Sequence, residues 1–242
     1  MTSAVRLREA QPSDEPAIVE VCTRAFFDED LFGRIIHPHR ASYPDDVQIF
    51  WHNFIRHDWS SPHSKVIVVT TPIKNKDQEQ QQEQVIGAAI WLRQGTDTGA
   101  EQIQKQWSDP TPHWPSFDST RVNCALDPSK ANILKDSAPY TAHYWADSLA
   151  SNWYLALCGV DPAFSRRGVG RLLVKWGLDQ AREEGVAASV ISSEGSNPFY
   201  LTCGFDAVVG NASEGEGNPM AEAGVKGGDI LFMWAREGEV KG

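Results

Sequence analysis

The chain has 242 residues, 41% of them hydrophobic and 22% charged, the balance of an ordinary globular protein long enough to bury a sizeable core. A net charge of −10 argues against a nucleic-acid surface and suits a cationic partner such as an amine. No apolar run is long enough to cross a bilayer, so no membrane role is expected.

Val5 to Ala10 alternates apolar with polar residues, as a half-buried strand does. Pro12-Ser13-Asp14-Glu15 then gives a helix start, and Ile18, Val19, Val21, Cys22 and Ala25 recur at helical spacing. Leu31 to Ile36 and Val47 to Trp59 predict one or two further helices. Lys65 to Thr71 is a β-branched strand, and Val85 to Leu92 reads as its antiparallel partner. The tract between them, Lys74 to Gln84, is too polar to bury a core and reads as a hairpin tip.

Gln94 to Ser137 is long, polar and proline-bearing, with Trp107 and Trp114; a loop of this length is functional or disordered. Ala138 to Ala150 has a helix-like composition. Trp153 to Val160 is a strand with apolar residues throughout, broken at Asp161-Pro162. A helix from Gly168 to Glu184 carries Val169, Leu172, Leu173 and Trp176 on one face and stops at Gly185. Val186 to Ser192 is a second apolar strand, so strand, helical crossover and parallel strand follow in order. A short helix at Pro198 to Cys203, a strand at Phe205 to Val209, a Gly/Glu-rich loop and a last strand at Asp229 to Ala235 complete the chain. Trp91, Trp153, Trp176 and Trp234 are expected in the core, and Trp51, Trp59 and Trp145 where a pocket could be lined.

The N-terminus, Met1 to Glu9, has no apolar h-region, and the expected location is cytoplasmic. Cys22, Cys124, Cys158 and Cys203 lie far apart with no C-x-x-C pair, as reduced thiols do. His37 and His39 form a close pair without further ligands, so no metal is expected.

The turn Ser165-Arg166-Arg167-Gly168-Val169-Gly170, between a strand and a helix, is where chemistry is expected. The first N–H groups of a helix lack internal partners, and its dipole favours an anion there. Gly168 and Gly170 let the backbone approach a phosphate, and Arg166, Arg167 and Arg171 surround it with cations. A Walker A loop fails because Gly170 is followed by Arg171-Leu172, and a dinucleotide fingerprint fails because Leu173 stands where its third glycine belongs.

Leu157 to Leu173 resembles motif A of the GNAT (GCN5-related N-acetyltransferase) superfamily, roughly V-x-P and then Q/R-x-x-G-x-G/A, with Ser165 in place of the Gln or Arg. Ser193 to Phe205 resembles motif B, with its aromatic-Tyr-x-x-x-Gly-Phe ending, and Val5 to Asp14 is similar to the superfamily's opening strand and helix. The resemblance implies an α/β fold of the α+β type, with a mixed, mostly antiparallel sheet splayed between its fourth and fifth strands and flanked by helices. It implies one domain over residues 1–242, with insertions at about 73–84 and 94–137.

It further implies acetyl-CoA as co-substrate. Backbone groups of Leu157, Cys158, Gly159 and Val160 would hold the pantetheine, and an N–H near Cys158 or Gly159 would polarise the thioester carbonyl. Arg166, Arg167, Gly168, Val169, Gly170 and Arg171 would hold the pyrophosphate, with Ser193 and Phe199 beside the cofactor. Tyr200 stands where the family's general acid protonates the leaving thiolate. For the general base the sequence offers Glu194, His143 or Asp147, or a water chain. The expected reaction is acetyl transfer to a primary amine of a small molecule. The alternatives are a protein lysine or N-terminus as acceptor, and a non-catalytic acyl-CoA sensor.

Overall fold

Seven strands form one sheet in the order β1-β2-β3-β4-β5-β7-β6 in a computed structural model that describes residues 5–73 and 82–235. The glutamine-rich tract read as a hairpin tip lies mostly outside the described residues. Strands β1 (Arg6–Glu9), β2 (Ser64–Pro72), β3 (Glu83–Gln94) and β4 (Asn152–Val160) pair antiparallel in succession. Strand β5 (Ala187–Ser193) runs parallel to β4, and β7 (Gly227–Met233) lies antiparallel between β5 and β6 (Ala207–Asn211). The sheet is therefore mixed and mostly antiparallel, as expected.

Helix α1 (Glu15–Ala25) and helix α2 (Val47–Trp59) cover one face, burying Ile18, Val19, Cys22, Trp51 and Ile55 against Val66, Val68 and Ile90. Helix α5 (Val169–Glu184) covers the other, burying Val169, Leu173, Val174, Leu178 and Ala181 at helical spacing. Gly177 leaves the space in α5 that the Trp91 ring fills, and Trp91 Nε1 donates to the Leu173 carbonyl at 3.2 Å. Gly185, at φ 69°, ends the helix in a left-handed cap.

The ladder between β4 and β5 is short. It starts at Asn152↔Ala187 and stops at Leu155↔Val190. On the other edge of β4, Leu155 faces Trp91 and Leu157 faces Ile90, which leaves Ala156 as a bulge. Leu155 consequently packs on the α5 side and Leu157 on the α1 and α2 side, although residues two apart on a regular strand share a face. The bulge bends β4 away from β5 at the point where their pairing ends. This is the splay between the fourth and fifth strands.

Three expectations are corrected. The segment 94–137 is not a bare loop: it contains helix α3 (Thr98–Gln106), capped by Asp97, which accepts from Gly99 N–H at 2.9 Å, and it starts helix α4 (Ile133–Thr141). The helix expected over Ala138 to Ala150 begins earlier, ends at Thr141 and continues as separate 3-10 turns. Trp234 lies past the end of β7, exposed and stacked on Phe232, because the strand occupies Gly227–Met233 rather than reaching Ala235. Helix α6 (Asn197–Cys203) and the short α7 (Pro219–Glu222) complete the elements.

Candidate functional site

Past Leu155 the β5-facing edge of β4 has no strand partner, so main-chain N–H and C=O groups between Ala156 and Val160 border the gap. This edge leads to the start of α5. Asp161 fixes the intervening turn: its carboxylate accepts from Ala163 N–H at 2.9 Å and from Arg24 at 2.7 Å. Arg166 is left-handed at φ 60° and Gly168 at φ 81°. Among the described residues no side chain caps α5, and nothing beyond its chain neighbours stands within 4 Å of where a Gly168 Cβ would be. Arg166, Arg167 and Arg171 are exposed and form no ion pair among the described residues, although Arg167 lies over the Phe164 ring at 5.3 Å. Free helix N–H groups, an open cradle and three uncommitted guanidiniums fit a pyrophosphate.

The fold brings most of the other expected residues to the same place. A methyl group on Gly170 would stand 3.1 Å from Phe199 Cζ and 3.6 Å from Val160 Cγ2, so the α5 start, β4 and α6 converge there. Tyr200, on α6, is 8% exposed and meets Phe199 and Phe205 edge-on at 5.1 and 5.6 Å. Burial raises its phenol well above the ordinary tyrosine value, with Cys158, Cys203 and Tyr154 adding to the effect. Burial likewise pushes the Cys158 thiol up to about 12.

On the α1 and α2 side of the splay is a cavity of 650 Å³. Phe54, Leu92, Trp145, Ala156, Ile191 and Met220 supply much of its apolar wall, and Leu134, Ala138 and Thr141 of α4 close one side. Its acids are Glu29 and Asp58. Glu29 Oε2 caps the helical turn Asp30–Ile35 by accepting from Phe32 N–H at 2.7 Å; burial raises its carboxyl against that bond. Asp58, in the last turn of α2, is pushed up to about 6 by burial. Beside it, burial and the Asp58 charge both raise the Tyr154 phenol.

Ser193 lines this cavity as the last residue of β5. Glu194 lies on the exposed turn after β5 and does not line it; His143 and Asp147 are exposed on the turns before β4 and do not either. Of Trp51, Trp59 and Trp145, only Trp145 reaches the cavity, with Trp51 buried in the core. Asp58 and Glu29 carry no motif. Their one signal in the sequence is an acid beside an otherwise apolar segment, which is also what a solvated helix flank looks like.

The splayed sheet thus carries an open helix-start turn at the end of β4 and a mostly apolar cavity on the α1 and α2 side. Residues 140–205, which span the end of α4 to the end of α6, match the model of the acetyltransferase (GNAT) family. An acetyltransferase of Stachybotrys chartarum is 23% identical over 206 residues, covering 84% of this chain and 80% of that protein. The structure of a histone acetyltransferase HPA2 and related acetyltransferase from Corynebacterium glutamicum has a TM-score of 0.57 at 15% identity, covering 98% of this chain and 99% of that one. A Pyrococcus horikoshii protein has a TM-score of 0.50 at 12% identity, covering 96% and 99%. These two likenesses are of fold. The family match over this segment and the acetyltransferase relative support a GNAT-type acetyltransferase that uses acetyl-CoA.

Proposed function

We propose that the protein transfers the acetyl group of acetyl-CoA directly to the primary amine of a small molecule. The observation that carries the choice of acceptor is the cavity. It is a mostly apolar, partly open pocket of 650 Å³ with α4 along one side, rather than an acidic groove of the kind a basic peptide would need.

Acetyl-CoA supplies the activated acyl group. In this reading the main chain of Leu157, Cys158, Gly159 and Val160 holds the pantetheine along the free edge of β4, as an added strand would be held. Arg166, Arg167, Gly168, Val169, Gly170 and Arg171 hold the pyrophosphate, and Ser193 and Phe199 flank the gap. An N–H at Cys158 or Gly159 stabilises the developing oxyanion. Tyr200 gives its proton to the departing sulfur. Cys158 takes no covalent part, since burial keeps its thiol protonated.

The test is a CoA-release screen of the purified protein against amines, polyamines, aminoglycosides and lysine peptides. Release with small amines supports the reading, and release only with peptides would replace it with protein acetylation. Silence across the panel, with acetyl-CoA still binding, would leave a non-catalytic acyl-CoA sensor.

A further inference from the structure

Resting on the acetyl-transfer reading, we infer that Asp58 takes the proton from the acceptor's ammonium, and that the surrounding cavity selects a single amine carried on an apolar body. Asp58 is half-buried, and no hydrogen bond or ion pair engages its carboxylate among the described residues. Around it the cavity is apolar: Phe54 one turn earlier on α2, then Leu92, Trp145 and Ala156. Ala156 is the bulge residue at which the free edge of β4 begins, so the carboxylate and the acyl-transfer gap share one cavity.

The other groups facing the cavity leave this role to Asp58. Glu29 accepts from the N–H groups at Phe32 and Leu31 and bonds to Ser193, and each of these contacts opposes the rise that burial gives its carboxyl, whereas Asp58 has no such contact among the described residues. Tyr154 of β4 is a buried phenol, protonated at working pH. Lys135 and Lys226 are exposed cations, unable to accept a proton from an ammonium. On its own helix Asp58 follows His57, whose charge opposes the effect of burial. Glu194, on its exposed turn, is outside the cavity.

The proton balance is simple. Of the two protons the acceptor nitrogen sheds, one passes to the Asp58 carboxylate and then to solvent. The other ends on the departing sulfur by way of Tyr200. The bond formed joins nitrogen to the acetyl carbonyl carbon, and the bond broken is the C–S bond of the thioester. Raising the Asp58 carboxyl from 3.8 to about 6 brings it two units closer to an alkylammonium. That is about a hundredfold more free amine at equilibrium within the bound pair. The carboxyl remains mostly ionised at neutral pH, ready to accept.

Specificity follows from the same walls. One ammonium finds a carboxylate at Asp58, while the body of the acceptor meets aromatic and aliphatic carbon. A second cation would have to compete for Glu29, whose carboxylate is already engaged by the Phe32 N–H, and a row of hydroxyls would face mostly carbon.

The experiment compares the full-length protein with Asp58→Asn and Asp58→Glu. Calorimetry gives the acetyl-CoA Kd and a thermal melt the fold. Turnover is followed from pH 5 to 9 with 2-phenylethylamine, spermidine, an aminoglycoside and a lysine peptide. In the parent protein kcat/KM for 2-phenylethylamine is expected to exceed the others by about tenfold or more, with an acid limb near pH 6. Asp58→Asn should lower it by about a hundredfold or more and erase that limb, with melting and acetyl-CoA affinity unchanged; Asp58→Glu should retain the limb. An Asp58→Asn protein that keeps its rate or its acid limb overturns the assignment. So does a parent protein that prefers spermidine or the peptide, or that binds acetyl-CoA and turns over none of the four. A parent protein that fails to bind acetyl-CoA overturns the acetyl-transfer reading itself, which separates the two failures.

Discussion

Gly168 immediately precedes the first residue of α5 with φ at 81°, and among the described residues nothing beyond its chain neighbours stands within 4 Å of the place its Cβ would occupy. An alanine there meets no neighbour, so its cost is the backbone's own: roughly 1–2 kcal/mol for an L-residue in the left-handed region. Two limits bound where that energy falls. If the turn keeps its shape, the folded state bears it, and Tm drops by about 2–4 °C per kcal/mol for a chain of this size. If the turn relaxes, stability is spared, and acetyl-CoA must restore the conformation on binding. Its Kd then rises by roughly five- to thirtyfold. The stability loss and the affinity loss of Gly168→Ala should therefore add up to about 1–2 kcal/mol however they divide. Gly168→Asn should lose less in total, because asparagine visits the left-handed region more readily. Calorimetric Tm and an acetyl-CoA titration on the three proteins measure both quantities. An alanine variant equal to the parent in both, or an asparagine variant as impaired as the alanine one, would refute the idea that the binding cradle depends on this conformation.

Tyr200→Phe should lower kcat by about 10²- to 10⁴-fold while acetyl-CoA affinity and Tm hold; unaltered turnover would remove Tyr200 from the chemistry. Gly177→Ala should destabilise by about 1–3 kcal/mol, read from a urea midpoint, because its methyl enters the Trp91 ring. A gain in stability, which helix propensity alone favours, would mean that the α5–Trp91 contact is loose. Glu15 is fully buried; burial raises its carboxyl, but hydrogen bonds from His52 and Arg56 at 2.6 Å each outweigh that and lower it overall. A lowered native value gives stability that is complete above the ordinary 4.5 and lost as pH falls through the native value. Glu15→Gln should flatten the acid side of the stability curve, and an unaltered slope there would show that the cluster contributes nothing.

The turn proposed to hold the cofactor was legible in the sequence as local structure, for a physical reason. A main-chain cradle for phosphate needs glycine at set positions before a helix, and Gly168, Gly170 and the stop at Gly185 locate α5 to within one residue of its observed start. Tyr200 was legible from its spacing to Gly204-Phe205, and the alternation at Arg6–Glu9 and the β-branched run in β2 from their patterns. The bulge at Ala156 was not. Strand β4 is apolar throughout, so nothing in the residues tells which ones exchange faces. The Asp97 cap of α3 was present in the sequence as Asp97-Thr98, but the prolines further along drew the segment into a single loop. Asp58 gains its meaning only when the last turn of α2 meets β4, a contact between residues about a hundred positions apart.

That contrast bears on how the acceptor side is built. Glu15 of α1 holds His52 and Arg56 of α2, and the same two side chains hold the long segment before α4. His52 stacks on Phe117 at 4.0 Å, while Arg56 lies over Trp114 and Phe117 and donates to the Pro115 carbonyl at 2.8 Å. Arg56 and Asp58 are two residues apart, so the clamp that fastens this segment also sets the last turn of α2, whose carboxylate faces the cavity. The segment continues into α4, which supplies the opposite wall through Leu134, Ala138 and Thr141. This segment therefore touches α2 and runs into α4, two of the elements that line the cavity. The α5 turn is held instead through Asp161 and Arg24, which share no hydrogen bond with the clamp among the described residues. In the proposed reading, sequence change in this segment reshapes the acceptor space more than the α5 turn, which is why the turn is written in motifs and the cavity in packing.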